Sequence, residues 1–354
     1  MPPRRLAAAF TALSALAAFS AALAAPPAAA AYEYDVVVFG STPAGVAAAT
    51  AASTLGLRVA LFEPLAMIGG MGAAGNLALN DGGQAAERTG LARTFAQLNA
   101  QAYGLAAGAE VAHPESFVSE ASFNTMLAHV STVRLACRLL AAAASADGAS
   151  VASVNVSCVE GPVTARVFID ASYDADLVVA LGGRVAYTSG REANTTYGES
   201  LAGARVPGWN GVGGPRHVDA LRADGSLIKF VSNVSELGAP GSADDALMAF
   251  QHRMCVSGDA DRVPWPQPQG YAPEDFELIR RALYANNNDS SFFTAMPPSA
   301  LPGYPGSKKK YCLCCGITVG ASDQPGLNKG WASATWEQRE AMTAAHTYFE
   351  LGSF

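Results

Sequence analysis

The feature that most constrains the fold is residues 34–75, which read YDVVVFGSTPAGVAAATAASTLGLRVALFEPLAMIGGMGAAG. Residues 36–39 form a short, fully apolar run, which is typical of a buried parallel strand. Small residues from Ala44 to Leu55 then predict a helix, and a second apolar run covers residues 59–62. The stretch therefore predicts a strand, a tight turn, a helix and a second strand.

The turn GSTPAG, between the first strand and the helix, has the character of a phosphate-binding turn. Gly40 allows the chain to turn sharply off the strand, and Gly45 allows the helix to lie close to the sheet. The free N–H groups and the positive dipole end of the helix favour a pyrophosphate. Binding there would involve the turn residues Thr42, Pro43 and Ala44.

Two neighbouring features qualify this interpretation. Glu63 ends the second strand, where a carboxylate can accept hydrogen bonds from a ribose diol. Thr42 stands where the pattern GxGxxG has its second glycine, and a Cβ at that position pushes the backbone away from phosphates. The threonine hydroxyl can donate a hydrogen bond instead. The unit thus predicts a dinucleotide site, and the alternative is a buried βαβ unit whose glycines serve only packing.

A second glycine pair, Gly69-Gly70, is followed by Met71 and distinguishes between dinucleotides. Folds that bind only NAD need no such pair. The sequence resembles the FAD-dependent oxidoreductases of the glutathione-reductase-like superfamily, in particular a family of large, often secreted bacterial flavoproteins. Its members open with DVVVxGxTPAGxxAAxxAAxxG, then an acidic residue and GGM. Further matching blocks, in preserved order, are GLARTF (90–95), FIDASYDADL (168–177), REANTTYGESLAG (191–203), RVPWPQPQGY (262–271) and the tail residues Glu337, Arg339, His346 and Tyr348.

This resemblance implies an α/β fold, with a Rossmann-like FAD-binding domain that contains a parallel sheet and a β-meander. An inserted α+β substrate or cap domain accompanies it. We expect a targeting segment at 1–31, the FAD-binding domain at 32–189 and the cap domain at 190–354. The family members are longer, so the cap domain is expected to be incomplete at its C-terminus and the chain truncated. The resemblance also implies FAD contacts at Val133, near the adenine, and at Asp170, in the strand-end block.

Outside residues 34–75, patterning predicts further elements of both domains. Part of 132–140 should join the parallel sheet, and the alternation in 151–156 and 163–169 predicts two antiparallel strands of the meander. Apolar spacing predicts helices over residues 87–103, 122–130, 243–254, 273–285 and 334–351.

Candidate catalytic groups are few, and no catalytic acid or base is assigned. Asn80 and Asp81 follow the glycine pair, either beside the cofactor or as turn formers. Asp174 and Asp176 are spaced for acid–base work, although Asp176 is expected to cap the next helix. His252, in the cap segment, is the remaining candidate.

The N-terminal residues 1–31 resemble a secretory signal peptide. Arg4-Arg5 precede an Ala-rich apolar run with Ala-x-Ala cleavage options. An uncleaved membrane anchor is the alternative, but alanine inserts poorly. We therefore expect a secreted or lumenal protein without stable membrane insertion. N-glycosylation sequons support this expectation and occur at Asn155, Asn194, Asn233 and Asn288.

Composition limits the partners of the chain. The net charge is −7 and the only basic cluster is Lys308-Lys309-Lys310, so nucleic-acid binding is disfavoured. Six cysteines permit three disulfides with 15 pairings in an oxidising compartment. The segment KYCLCCG lacks zinc-ligand spacing, so no metal site is predicted; we expect a structural disulfide there, with a redox-active pair as the alternative.

The sequence leaves alternative functions open. The first is an FAD-dependent oxidoreductase that removes two electrons, as a hydride, from a small organic substrate such as an alcohol, amine or sugar derivative. The second is a catalytically silent secreted glycoprotein that retains the scaffold, which is favoured by Thr42 and by the expected truncation at the C-terminus. The third, an enzyme that uses NAD alone, is opposed by the glycine pair. The oligomeric state is not indicated.

Overall fold

The computed structural model describes residues 32–75, 88–183, 190–193, 195, 218–231, 239–250, 252–257, 260, 262–285, 295–296, 310–313, 324 and 326–353. Asn80, Asp81 and three of the four sequons lie outside the described residues. Asn155 lies within them, on a strand, and its side chain is exposed.

A four-stranded parallel sheet forms the centre of the N-terminal part. Its strands are β1 (Tyr34–Phe39), β2 (Val59–Phe62), β3 (Thr132–Arg134) and β6 (Ala165–Asp170), in the order β3-β2-β1-β6. All neighbouring pairs run parallel, so the carboxyl ends of the four strands meet at one edge. The first two predicted strands are confirmed, and only the start of 132–140 joins this sheet.

Helix α1 (Pro43–Thr54) connects β1 to β2, as the small residues of this stretch predict. Proline is favoured at the first helical position because its missing N–H needs no partner there. Gly45, Val46 and Ala49 form the buried face. Since these side chains are small, the helix packs close to the sheet.

Hydrophobic layers cover both faces of the sheet, which explains the unbroken apolar run of β1. Val36 and Val38 lie in one layer with α1, α2 (Gly90–Ala102) and α3 (Ser116–Met126). Val37 and Phe39 lie in the other layer, beneath an antiparallel hairpin. Alternate residues of a strand face opposite sides, and here both sides are buried.

That hairpin consists of β4 (Leu139–Ala144) and β5 (Val151–Val156). The predicted pairing of 151–156 with 163–169 is wrong in its main part: β5 pairs with β4, and only the bridge Val154–Val163 continues the meander. Residues 165–170 instead return to the parallel sheet, because their apolar face completes the buried centre beside β1.

A disulfide joins Cys137, just before β4, to Cys158, just after β5. Its Cα atoms are 5.0 Å apart, and Cys137 is fully buried in the layer beneath the sheet. One of the pairings that the cysteine count permits is therefore formed. Two further cysteines, Cys255 and Cys312, are register partners on antiparallel strands.

The C-terminal part contains both helices and strands. Strands β7 (Met254–Ser257), β8 (Ala295–Met296) and β9 (Lys310–Leu313) form a small antiparallel sheet in the order β7-β9-β8. Helices α5 (Glu277–Ala285) and α6 (Trp336–Ser353) confirm two helix predictions; the short α4 (Asp176–Ala180) precedes them in the chain.

The predicted helix over 243–254 is wrong. Residues 243–250 are irregular, and Met254 already belongs to β7. Asp244 pairs with Arg191 through both side-chain and backbone hydrogen bonds, and this isolated β-bridge replaces the helical hydrogen bonds that Asp244 would otherwise make. None of the helices within the described residues is long and apolar enough to span a membrane.

Candidate active site

The turn after β1 is built on two glycines whose lack of a Cβ is required. Gly40 has φ +94°, and a Cβ there would lie 2.8 Å from the backbone of Ala171. A Cβ on Gly45 would lie 2.0 Å from the Gly40 carbonyl oxygen. The turn therefore lies in direct contact with the end of β6, and only glycine fits at either position.

Thr42 is the N-cap residue of α1. Its Oγ1 accepts a hydrogen bond from the Gly45 N–H at 3.3 Å and donates one to the Ala171 carbonyl at 2.8 Å. The hydroxyl proton is therefore donated within the protein, whereas the sequence allowed its donation to a ligand. Pro43 and Ala44, the next two residues, are exposed at the start of the helix.

Glu63 lies at the end of β2, beside the turn, and is 5% exposed. Its Oε2 accepts hydrogen bonds from the backbone N and the Oγ of Ser41, at 2.6 and 2.7 Å. Its Oε1 accepts from the Leu65 N–H at 2.8 Å. The carboxylate thus joins the two strand ends, and its ribose contact stays a prediction.

The glycine pair also lies at this edge. Gly69 has φ +95° and donates its N–H to the Ser41 carbonyl at 2.9 Å. The Met71 N–H donates to the hydroxyl of Tyr173 at 2.8 Å. A Cβ on Gly70 would lie 2.6 Å from that same hydroxyl. Tyr173, which the sequence did not single out, therefore lies against the pair, and burial raises the pKa of its hydroxyl.

The loop after β6 corrects the expected helix cap. Asp170 accepts hydrogen bonds from the N–H groups of Leu177 and Val178, at 2.9 and 3.3 Å, and so caps α4. Asp176 does not cap: its carboxylate pairs with Arg339 on α6 at 2.7 Å. The sequence could not distinguish the two aspartates, because the partner of Asp176 is distant in the chain.

Val133 lies in the middle of β3, where it is the register partner of Leu61 and packs against the hydrophobic layer. Arg134 ends this strand next to Glu63, whose N–H bonds the Arg134 carbonyl at 2.9 Å. The predicted adenine contact of Val133 stays a prediction.

A cavity of about 540 Å³ opens at this edge, between α1, α2 and α3. The predicted cofactor residues that line it are Thr42, Pro43, Ala44 and Met71. Its remaining wall is mostly apolar and includes Phe95 and Phe123, which stack at 4.3 Å, with Tyr173 at the turn. Four of the sequence-predicted residues are therefore brought together around one space.

Among the residues that the structure describes, Arg88 is the one charged residue that lines this cavity. Its Nε lies 3.1 Å from Glu110 Oε2, and its side chain is 13% exposed. Sequence reasoning missed Arg88. The available signal was an arginine between the glycine pair and the apolar helix GLARTF.

The other predicted acid–base candidates lie outside this cavity lining. Asp174 accepts a hydrogen bond from the indole N–H of Trp331 at 2.8 Å. His252 places Nδ1 3.3 Å from Glu350 Oε2, and its backbone N–H donates to Glu350 Oε1 at 2.6 Å. The Glu350 hydrogen bond raises the pKa of His252.

His346 lies beside this pair, with its ring 6.0 Å from that of His252. It is 2% exposed, and neither ring nitrogen has a hydrogen-bond partner among the described residues. Burial lowers its pKa to about 4, so the ring is neutral. No cluster of three potential metal ligands occurs within the part of the chain that the structure describes.

Solved structures with similar segments include an oxidised steroid monooxygenase bound to NADP, at 20% identity and a TM-score of 0.29. The alignment covers 40% of this chain and 26% of that one. THI4 of Thermovibrio ammonificans aligns at 16% identity over 53% of this chain and 76% of its own, with a TM-score of 0.31. These scores are too low to support an argument.

No curated protein sequence matches the chain. A scan against family models, by contrast, matches the family described as FAD dependent oxidoreductase over residues 35–350. The match begins in β1 and ends in α6, so it contains both the glycine turn and the cavity. Because it covers almost the whole chain, the protein belongs to the FAD dependent oxidoreductase family.

Proposed function

We propose that this chain binds FAD along the carboxyl edge of the parallel sheet and oxidises a small organic substrate by two-electron transfer. The observation that carries the proposal is the cavity that begins at the first turn of α1, at Pro43 and Ala44, and continues past Met71. The family match identifies FAD as the dinucleotide. When bound, the flavin supplies the hydride chemistry.

The residues present fit a dinucleotide at this edge. Gly40 and Gly45 keep the turn free of side chains where a Cβ would collide with backbone, so a phosphate can approach closely. Thr42, Pro43 and Ala44 would hold the pyrophosphate at the start of α1, with Gly69, Gly70 and Met71 along its course. Glu63 and Val133 would hold the adenosine half. Asp170 would act through its cap on α4, which fixes the strand-end loop.

Proton transfer in such an oxidation needs a group that titrates near neutral pH. The hydrogen bond to Glu350 raises the pKa of His252, and Glu350 holds its Nδ1 so that Nε2 is the remaining exchangeable nitrogen. The His252 side chain is 40% exposed, whereas the Glu350 side chain is 1% exposed. His252 lies outside the lining of the cavity, so it stays a candidate proton acceptor, with Glu350 as its positioning residue.

Residues 1–31 would direct export, and 32–189 and 190–354 would form the cofactor and substrate domains. The disulfide at Cys137 supports an oxidising compartment, since structural disulfides are rare in reducing ones. The exposed Asn155 sequon is compatible with glycosylation there.

The test is to purify the full chain, record its visible spectrum and identify any nucleotide released by acid. We expect a flavin spectrum and released FAD. Ala44→Asp should abolish binding, because its carboxylate repels the pyrophosphate, yet it leaves folding intact since acidic residues are favoured at helix starts. Ala51→Asp, on an exposed position of the same helix, is the matched control.

A folded, colourless protein that takes up no added FAD would refute the proposal. It would favour the silent scaffold instead, which also suits the Thr42 hydroxyl and the Glu63 carboxylate, because both already bond within the protein. Released NAD, with no flavin, would favour the nicotinamide alternative.

A further inference from the structure

We propose that Tyr173 is a cofactor-binding residue, whose hydroxyl donates a hydrogen bond to a pyrophosphate oxygen of the dinucleotide. This inference rests on the proposed function, because it adds a residue to the same cofactor site. Tyr173 lies in the loop between β6 and α4, and it lines the cavity together with Pro43, Ala44 and Met71. It is 52% exposed, so a large part of its surface can meet a ligand in that space.

The hydroxyl of Tyr173 is held in place by the backbone of the glycine pair. Its oxygen accepts the Met71 N–H at 2.8 Å, and a Cβ on Gly70 would lie only 2.6 Å from it. Gly70 therefore has to be glycine for the tyrosine to lie there. The second glycine of the pair thus makes room for a side chain of the protein, and that side chain faces the cofactor edge.

The proton of this hydroxyl is available to a ligand. A phenol has one O–H donor as well as acceptor lone pairs, and the Met71 N–H uses only an acceptor site. Within the part of the chain that the structure describes, the hydroxyl makes no second hydrogen bond. The nearby Glu63 carboxylate accepts from Ser41 and Leu65 instead. Burial raises the pKa of Tyr173, so the proton stays on the oxygen at neutral pH.

The backbone donors at this edge explain why a hydroxyl donor is useful. Thr42 Oγ1 accepts the Gly45 N–H, so this N–H is engaged by the protein. Pro43 has no N–H, and the Met71 N–H is bound to Tyr173. A phosphate that approaches these turns therefore meets the O–H of Tyr173 in place of the Met71 N–H. Because the phenol oxygen already accepts a hydrogen bond, polarisation makes its own O–H a stronger donor.

The test compares the full-length wild type with Tyr173→Phe, which removes only the hydroxyl. Tyr348→Phe is the matched control, because the Tyr348 hydroxyl also accepts a backbone N–H, that of Ala272 at 3.2 Å, but lies outside the cavity lining. The ligands are FAD, ADP, which keeps the pyrophosphate without the flavin, and riboflavin, which lacks phosphate. Calorimetric titration gives the dissociation constants, and circular dichroism with thermal unfolding shows whether each variant is folded.

We expect Tyr173→Phe to weaken the binding of FAD and of ADP by about ten- to a hundredfold, as for loss of a hydrogen bond to a charged group. Its affinity for riboflavin should be unchanged, and Tyr348→Phe should bind all these ligands like wild type. A second measurement uses wild type with ¹³C-labelled tyrosine Cζ atoms. ADP should shift one Cζ resonance, which is missing from the spectrum of Tyr173→Phe, whereas adenosine, which lacks phosphate, should leave it in place.

Unchanged affinities of Tyr173→Phe for FAD and ADP would overturn the inference while leaving the proposed function intact, and so would equal losses in Tyr348→Phe. A loss confined to FAD and riboflavin would assign the hydroxyl to the flavin half and would overturn the pyrophosphate contact. If Tyr173→Phe does not fold, the absence of an ADP-induced Cζ shift in wild type would overturn the inference by itself. A wild-type protein that binds no FAD at all would overturn both proposals.

Discussion

Arg339 offers the sharpest test of how the C-terminal part is attached to the sheet. Its side chain is only 8% exposed, and its Nη2 lies 2.7 Å from Asp176 Oδ1. Its guanidinium also donates to the carbonyls of Trp331 and Ala332, both at 3.1 Å. The rings of Trp331 and Trp336 lie 5.4 and 5.0 Å from its guanidinium carbon. Three donations and two aromatic contacts thus converge on one cation.

Removing this cation should be strongly destabilising. Burial raises the pKa of Asp176, and the hydrogen bond and charge of Arg339 oppose that increase. Arg339→Met keeps much of the apolar stem but leaves the buried carboxylate without this partner. Loss of one partner of a buried pair costs about 3–5 kcal/mol of unfolding free energy. Asp176→Asn, which removes the charge, should recover part of that loss in the double variant.

Urea denaturation of the wild type, both single variants and the double variant gives the coupling energy. We expect a coupling of about 1–3 kcal/mol, in the range found for residues in direct contact. The control is Arg280→Met, since Arg280 pairs with Glu277 at the surface and is 58% exposed. This control should lose less than about 1 kcal/mol. A similarly small loss in Arg339→Met, or strictly additive effects, would refute the reasoning.

Three further results are expected. Cys137→Ser with Cys158→Ser opens a loop of sequence separation 21 and should lower the unfolding free energy by about 3 kcal/mol, measured by urea denaturation; an unchanged midpoint would show that the disulfide does not constrain the unfolded chain. Gly45→Ala should lower the thermal midpoint by the equivalent of about 1–3 kcal/mol, because its Cβ meets a backbone oxygen at 2.0 Å; a wild-type midpoint would contradict the turn geometry. His346 has its pKa lowered to about 4, so the unfolded chain binds the extra proton between about pH 6.5 and 4. As the pH falls through that window, the unfolding free energy of the wild type should therefore decrease by up to about 1.4 kcal/mol per pH unit more than that of His346→Gln. Parallel profiles of unfolding free energy against pH would contradict the buried, neutral ring.

The sequence predicted the turn unit well because its constraints are local. An unbroken apolar run, a glycine with positive φ and a helix of small residues can each be recognised within a few positions. The two strands and α1 therefore appear within one or two residues of where they were expected.

Other features depend on partners far along the chain. Asp170 caps α4 while Asp176 binds Arg339, although both aspartates have the same short-range signals. The segment from 243 has helical spacing, yet Asp244 forms a β-bridge with Arg191 and the segment is irregular. Arg88 joins the lining of the cavity only because folding places α1 and α2 on two sides of it.

The loop after β6 gives the protein an intrinsic optical reporter. Tyr173 bonds the backbone of Met71 at the proposed cofactor turn, and the next residue, Asp174, accepts the indole N–H of Trp331. We expect a displacement of the turn to reach this indole hydrogen bond through the two adjacent residues. Since indole emission is sensitive to such a bond, the fluorescence of Trp331 should follow events at the turn without any attached dye.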